Sequence, residues 1–394
     1  MTWRADDVRA ADDRQEDDVS GPLTGIRIVE FAGKGPAPLA GMLLGDLGAD
    51  VVRVDRADEV DDRSEAPPLG RNRRSIALDL KKPAALELAL DLIGRADGLL
   101  EGFRPGTMER LGLGPDVCLD RNPRLVYGRM TGWGQDGPLG DAAGHDVNYI
   151  ALTGTLHAIG RQGEPPTIPL ALVGDFGGGG MYLAFGMLAG LLESRSSGRG
   201  QVLDAAIIDG VALLQTIFSS RMGRSWRPER GTNLVDGGCP FYDVYECADG
   251  EHVSIGALEP KFYAALLVAL GLDDLDPRSQ YDRQTWQTVR KRLQETFLSR
   301  TRDEWSRALA GTDVCFAPVL TMQEARSHPH HAARGTFVEV NGLMQGGVGP
   351  RYSRTPGGIR RGLARPGQHT DEILAELGRD RHAAASLRVE GVVR

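Results

Sequence analysis

Hydrophobic and polar positions change period along the chain in a regular alternation. Ile26-Arg-Ile-Val-Glu-Phe31 alternates every two residues, as a strand does. Leu39–Leu47 then recurs with helical spacing, and a second strand pattern covers Asp50–Val54. The same reading predicts strands over Ser75–Leu80, Gly98–Glu101, Leu125–Met130 and Gln201–Ala206. It predicts helices over Ala84–Arg95, Met181–Leu192 and Asp209–Ser219.

From Phe241 the pattern shifts. Phe-Tyr-Asp-Val-Tyr-Glu-Cys, the turn Ala-Asp-Gly and His-Val-Ser-Ile-Gly-Ala read as a hairpin. Helices follow over Pro260–Leu270, Trp286–Arg300 and Arg302–Ala310, then a strand over Cys315–Val319. A turn-rich tail from Thr336 ends in one helix, Thr370–Leu377. The expected fold is α/β, a large domain with an open Rossmann-like parallel sheet plus a smaller α+β domain. The expected division is a polar lead-in over 1–20, a large domain over 21–224, a linker over 225–240 and the small domain over 241–320. A return linker and the C-terminal part of the large domain complete the chain over 321–394.

Composition changes this picture little. A chain of 394 residues is long for one core and suits two domains. The net charge of −8 leaves no cationic excess for phosphate neutralisation, which argues against a nucleic-acid binder. Cys118, Cys239, Cys247 and Cys315 form no metal-binding spacing and read as reduced thiols. With no apolar run of membrane-spanning length and no signal peptide, the expected compartment is cytoplasmic and no membrane partner is expected. The lead-in carries Asp6, Asp7, Asp12, Asp13, Glu16, Asp17 and Asp18 against three arginines, and is expected to be disordered.

Candidate chemistry falls in two places. The first β-α-β unit ends at Asp55 and invites a dinucleotide reading. Gly33 and Gly35 are present, but Pro38 stands where the third glycine belongs, and the fingerprint fails there. Arg53 and Arg56 suit a phosphorylated nucleotide of another kind. Gly70–Arg74, with Arg71 and Arg74, reads either as a solvated turn or as a phosphate contact. Arg104 and Arg110 could face the crevice that receives Arg56.

The second place is the stretch from Gly144 to Gly180. It opens with Gly-His145-Asp146 and closes with Val-Gly-Asp175-Phe followed by four glycines. Asp175 is expected at or just before the N-terminus of the helix over Met181–Leu192, where a carboxylate suits the positive end of the dipole. The bare N–H groups of the following glycines, Gly177 and Gly178 among them, could stabilise an oxyanion. Bland alternatives stand beside these. His145 could be a structural loop residue, Asp175 a plain cap, Asp146 an acceptor of backbone hydrogen bonds and Glu259 an exposed carboxylate before a proline-started helix. His328, His330 and His331 read as a solvated turn, since their spacing is broken by proline and lacks carboxylates for metal.

The chain resembles the class III CoA-transferase superfamily. The resemblance rests on Gly25–Arg56, Arg71–Arg74, Arg-Pro-Gly over Arg104–Gly112, Gly-Trp-Gly-Gln over Gly132–Pro138 and Gly-Gln-His-Thr-Asp over Gly367–Leu374. It runs from Pro22 to Gly378. Ala143–Ile150, Val173–Gly179 and Gly256–Tyr263 are similar to the α-methylacyl-CoA racemase branch of that superfamily. The resemblance implies that His145 and Asp175 are the acid–base pair and that Glu259 orients His145. It implies acyl-CoA contact by Arg56, Arg71, Arg74, Arg104, Arg110, Tyr149, Gly177 and Gly178. It also implies an interlocked homodimer with the site at the junction of large and small domains.

The implied reaction interconverts (2R)- and (2S)-2-methylacyl-CoA thioesters. One base removes the α-proton, an enolate forms, and an acid on the opposite face returns a proton. No metal or redox cofactor is required, since CoA is part of the substrate. The alternative is a CoA-transferase with an acyl intermediate on Asp146, the residue that aligns with the transferase nucleophile. Against that, His145 and the pair Asn148-Tyr149 depart from the transferase pattern. A non-catalytic CoA-binding protein is the third reading. Met181, Met187 and Met222 are candidates for an acyl-receiving surface or for ordinary core.

Overall fold

The computed structural model describes residues 21–60 and 65–394. The acidic lead-in over 1–20 lies outside the described residues. Two compact units emerge. One comprises the described residues up to Gly144 together with Gly174–Gly210 and Gly335–Arg394, and the other comprises His145–Val173 and Val211–Arg334.

The first unit is built on six strands, β1 (Arg27–Phe31), β2 (Asp50–Arg56), β3 (Arg73–Leu78), β4 (Gly98–Glu101), β5 (Val126–Thr131) and β6 (Gln201–Ala206). They pair in the order β3-β2-β1-β4-β5-β6, every pair parallel. This is the Rossmann order, and the direction of winding reverses between β1 and β4. Ligands of such sheets lie outside the carboxyl ends of the strands near that reversal. Helix α1 (Pro36–Asp46) starts on a proline, which needs no N–H partner there. Helix α2 (Pro83–Ile93) does the same and buries Ala85, Leu88, Ala89 and Leu92. Val29, Val52, Ile76 and Leu99 form the centre of the apolar core with them.

Strand β3 begins two residues earlier than the apolar pattern suggests. Arg73 and Arg74 look like turn cations, yet each enters the strand because a carboxylate awaits it. Arg73 Nε donates to Glu30 Oε2 at 3.0 Å, and Arg74 Nε donates to Asp50 Oδ1 at 3.0 Å. Gly41 of α1 makes room for the first pair, since a β-carbon there would overlap the Glu30 carboxylate. Burial pushes the Glu30 carboxyl up, against the pull of Arg73.

The tail adds two elements that the apolar pattern does not reveal. A hairpin pairs Phe337–Val340 with Leu343–Gly346. A helix over Arg381–Val389 is capped by Asp380, whose Oδ1 accepts the Ala383 N–H at 2.8 Å. The chain end then returns to β3, with the Arg394 N–H donating to the Ala77 carbonyl at 3.2 Å.

The second unit carries a three-stranded antiparallel sheet, β7 (Tyr242–Glu246), β8 (His252–Gly256) and β9 (Phe316–Pro318). Phe241, Tyr263, Leu293 and Phe297 fill its core. The segment after His145 belongs here rather than with the large domain, because its partners do. Gln215 Nε2 donates to the Thr153 carbonyl at 2.8 Å, and Arg230 Nε donates to the His157 carbonyl at 2.8 Å. The helix expected over Asp209–Ser219 is split into Ile207–Leu214 and Thr216–Ser219. The histidine cluster is helical rather than a turn: His330 and His331 lie in a helix over Pro329–Arg334. Among the described residues, no helix is long and apolar enough to cross a membrane.

Candidate active site

The stretch that ends in four glycines is helical. Leu172–Met181 forms a ten-residue π-helix that runs directly into the helix Tyr182–Ser197. Asp175 is therefore not a cap before the helix of 182–197. It lies in the first turn of the π-helix, half-buried, still near a positive dipole end. The glycine reading also needs correction. In a π-helix each N–H bonds to the carbonyl five residues back, so the N–H groups of Gly177 and Gly178 belong to the helix ladder. The glycines serve packing instead. A β-carbon on Gly179 would meet Pro36 Cβ at 2.8 Å, and one on Gly210 would overlap the Gly178 carbonyl. Side-chain-free positions let this helix press against α1 and against the helix Ile207–Leu214.

Asp175 has a neighbour from the β1–α1 loop. A β-carbon built on Gly35 would lie 3.6 Å from Asp175 Oδ2. Gly35 has φ 76°, a left-handed conformation that glycine adopts without strain.

His145 and Glu259 belong to the second unit. His145 is exposed and immediately precedes the helix Asp146–Leu152, and its backbone N–H donates to Asn148 Oδ1 at 3.0 Å. Asp146 opens the helix with its side chain buried, and Tyr149 is buried one turn on. Glu259 is exposed and precedes the proline-started helix Pro260–Ala269. The backbone leading to it is clamped. Gln280 Nε2 donates to the carbonyls of Ala257 and Leu258, each at 2.9 Å, and Tyr281 Oη donates to Leu258 O at 2.5 Å. Met187 is fully buried core, whereas Met181 and Met222 are exposed.

In the first unit a cavity of about 660 Å³ opens at the carboxyl ends of the strands. Phe31 of β1, Arg56 of β2 and Leu78 of β3 line it, with Phe103 from the loop after β4. Lys81 and Lys82 add cations beside Arg56. Apolar walls with cations at the rim suit a nucleotide, base inside and phosphates outside.

The sequence family described as CoA-transferase family III matches residues 23–370. The chain belongs to this family. It is 42% identical over 375 residues to α-methylacyl-CoA racemase of Mus musculus, a match that covers 94% of this chain and 97% of that protein. Against α-methylacyl-CoA racemase of Homo sapiens the identity is 41% over 382 residues, with the same coverage. The fold is similar to the crystal structure of a CAIB/BAIF family protein from Brucella suis. There the TM-score is 0.78, covering 91% of this chain and 100% of that one, at 23% identity.

Within this family III chain the expected CoA-contacting arginines divide. Arg56 lines the nucleotide-sized cavity while its guanidinium pairs with Asp58 at 2.6 Å. Arg71 is placed elsewhere. It is 2% exposed and its Nε donates to Asp46 Oδ1 at 3.0 Å, while Nη1 donates to the Gly346 carbonyl at 2.7 Å. Arg74 is held by Asp50, Glu372 and Glu376. Both guanidiniums are thus engaged in holding the fold. Arg104 and Arg110 are exposed, and the wall beside them is made by Thr107 and Leu111. Lys81 and Lys82 were not anticipated, although a Lys-Lys pair just after a strand was a readable signal.

Proposed function

We propose that this chain is an α-methylacyl-CoA racemase, an isomerase that interconverts (2R)- and (2S)-2-methylacyl-CoA thioesters. The observation that carries this reading is the 42% identity to a racemase across nearly the whole of both chains. The cavity at the carboxyl ends of β1, β2 and β3 supports it, with room and cations for the nucleotide end of CoA.

The thioester carbonyl acidifies the α-hydrogen. His145 and Asp175 exchange roles as base and acid on opposite faces of the planar enolate, and this is what allows both epimers to form. Glu259 favours the imidazolium form of His145. Asp175 in the first turn of the π-helix places the positive dipole end near the developing enolate charge. The chemistry needs no metal and no redox group.

The working form is a homodimer. Phe185 and Leu192 of the helix Tyr182–Ser197 are 70% and 74% exposed in the single chain, and Leu213 and Leu214 are also exposed. Large apolar side chains in such a row suit a partner surface.

The test is a pair of variants. His145→Ala and Asp175→Asn each lower epimer interconversion by about 10²–10⁴-fold, with the thioester still bound. Retention of full activity by either variant rejects the assignment. The transferase alternative is read in the same preparation: CoA transfer to a free carboxylate that is lost in Asp146→Ala would replace the racemase reading.

A further inference from the structure

Gly35, the neighbour of Asp175, also lines a second cavity of about 520 Å³ in the first unit. Much of its wall is apolar, with Pro38, Pro67, Pro68, Leu69, Phe103 and Pro366. Set into this wall are four buried charged residues, Glu30, Arg53, Asp55 and Arg73. Glu30 and Arg73 pair at 2.9 Å, and Arg53 Nε donates to Asp55 Oδ2 at 2.8 Å. Arg53 Nη2 donates to the Ala364 carbonyl at 3.0 Å. Nη1 is different. Arg53 is 3% exposed, and its Nη1 is buried with no acceptor. A β-carbon on Gly70 would come within 3.2 Å of that nitrogen, so the glycine leaves the space beside it open.

A buried donor on a charged group is costly to leave unpaired. Its position on a cavity wall, next to the neighbour of a catalytic carboxylate, offers a reason to keep it. The charge balance says what fits. Among the described lining residues, the four cations Lys34, Arg53, Arg56 and Arg73 are matched by the four carboxylates Glu30, Asp55, Glu59 and Glu65. An added anion would meet Glu30 and Asp55 with no surplus cation to compensate. A neutral oxygen acceptor meets no such penalty and receives a charge-assisted hydrogen bond.

We propose that this cavity is a polar subsite of the acyl-CoA site, in which Arg53 Nη1 donates to a neutral oxygen of the thioester, a carbonyl or a hydroxyl. The proposal rests on the racemase reading above. Two parts of the substrate carry such an oxygen: the amide carbonyls of the pantetheine arm, and a hydroxyl or oxo group on the acyl chain.

The experiment measures calorimetric binding of CoA, 2-methylhexanoyl-CoA and its 6-hydroxy analogue to the full chain. The proteins are wild type, Arg53→Met and Gly33→Leu. Gly33 lines the same cavity, and its β-position has nothing nearer than the Phe31 carbonyl at 3.9 Å. A leucine there fills the cavity without touching the Arg53–Asp55 pair, which keeps the test alive if Arg53→Met fails to fold. Weakening of all three ligands by about tenfold or more supports the subsite and assigns the oxygen to the pantetheine arm. A loss of that size confined to the hydroxylated thioester supports it and assigns the oxygen to the acyl chain. Unchanged binding of all three ligands by both variants overturns the proposal, and Nη1 then meets only solvent. Racemisation by the wild type is followed separately. Its absence alongside variant-sensitive binding would reject the racemase reading and leave the subsite standing.

Discussion

Asp175 Oδ2 lies 3.6 Å from where a β-carbon would stand on Gly35. The proposed base and the turn before α1 are thus in contact through a residue that has no side chain. Two requirements meet at Gly35: a φ of 76° and free space beside a carboxylate.

Gly35→Ala is expected to cost about 1–2 kcal/mol in backbone strain. It is also expected to lower kcat about tenfold, since a displacement of a catalytic group by a fraction of an ångström is felt in the rate. Thermal unfolding and epimerisation rates on one preparation separate the two effects. An unchanged kcat would mean that Asp175 is not held by this contact.

Gly210→Ala acts on the same helix from another side. The new methyl group would overlap the Gly178 carbonyl, a backbone atom that has no rotamer to escape into. Overpacking of this kind costs about 1–3 kcal/mol or more. A drop in activity larger than the drop in folded fraction is expected, because the helix that moves carries Asp175. Full activity and an unchanged unfolding midpoint would contradict the packing.

Arg71 separates a fold role from a ligand role. Arg71→Met leaves Asp46 buried with Asn72 Nδ2, at 2.8 Å, as its remaining partner. Breaking a buried pair on one side costs about 3–5 kcal/mol. Urea unfolding should show a loss near the lower end of that range, with the affinity of the folded protein for CoA unchanged. Weaker CoA binding at wild-type stability would return Arg71 to the ligand site.

The order of elements was readable because strands buried on both faces leave short apolar runs between helices. β4 and β6 match their expected ranges residue for residue, while β3 was displaced because Arg73 and Arg74 hide their burial behind charge. The π-helix was not readable: Asp175 followed by Phe and four glycines looks like a loop, and only the closeness of Pro36 and Gly210 explains those glycines. The distant carboxylates of Arg71 and Arg74 were equally invisible, since Asp46 and Glu376 are remote in sequence. Arg56 was placed correctly at the end of β2 because strand-end position follows from local pattern alone.

His369 gives a pH dependence. Burial holds its imidazole below the ordinary value of 6.5, and Arg361 and Arg74 push in the same direction against Glu372. Its Nδ1 accepts the Ser75 N–H at 3.1 Å, which requires the neutral ring. Below the ordinary value the unfolded chain binds a proton more readily than the folded one, so stability rises with pH. The contribution is complete above 6.5 and is lost as pH falls through the folded value. Unfolding midpoints from about pH 7 down to about pH 5 should fall less steeply in His369→Asn than in wild type. Parallel slopes would remove His369 from the account.

The most direct test of the proposed function is proton exchange. Purified protein is incubated with one epimer of a 2-methylacyl-CoA in D₂O, and α-deuteration and epimer ratio are followed together. The account predicts deuterium at the α-carbon with drift toward equal epimers. A single epimer that stays undeuterated while its thioester remains bound would contradict it.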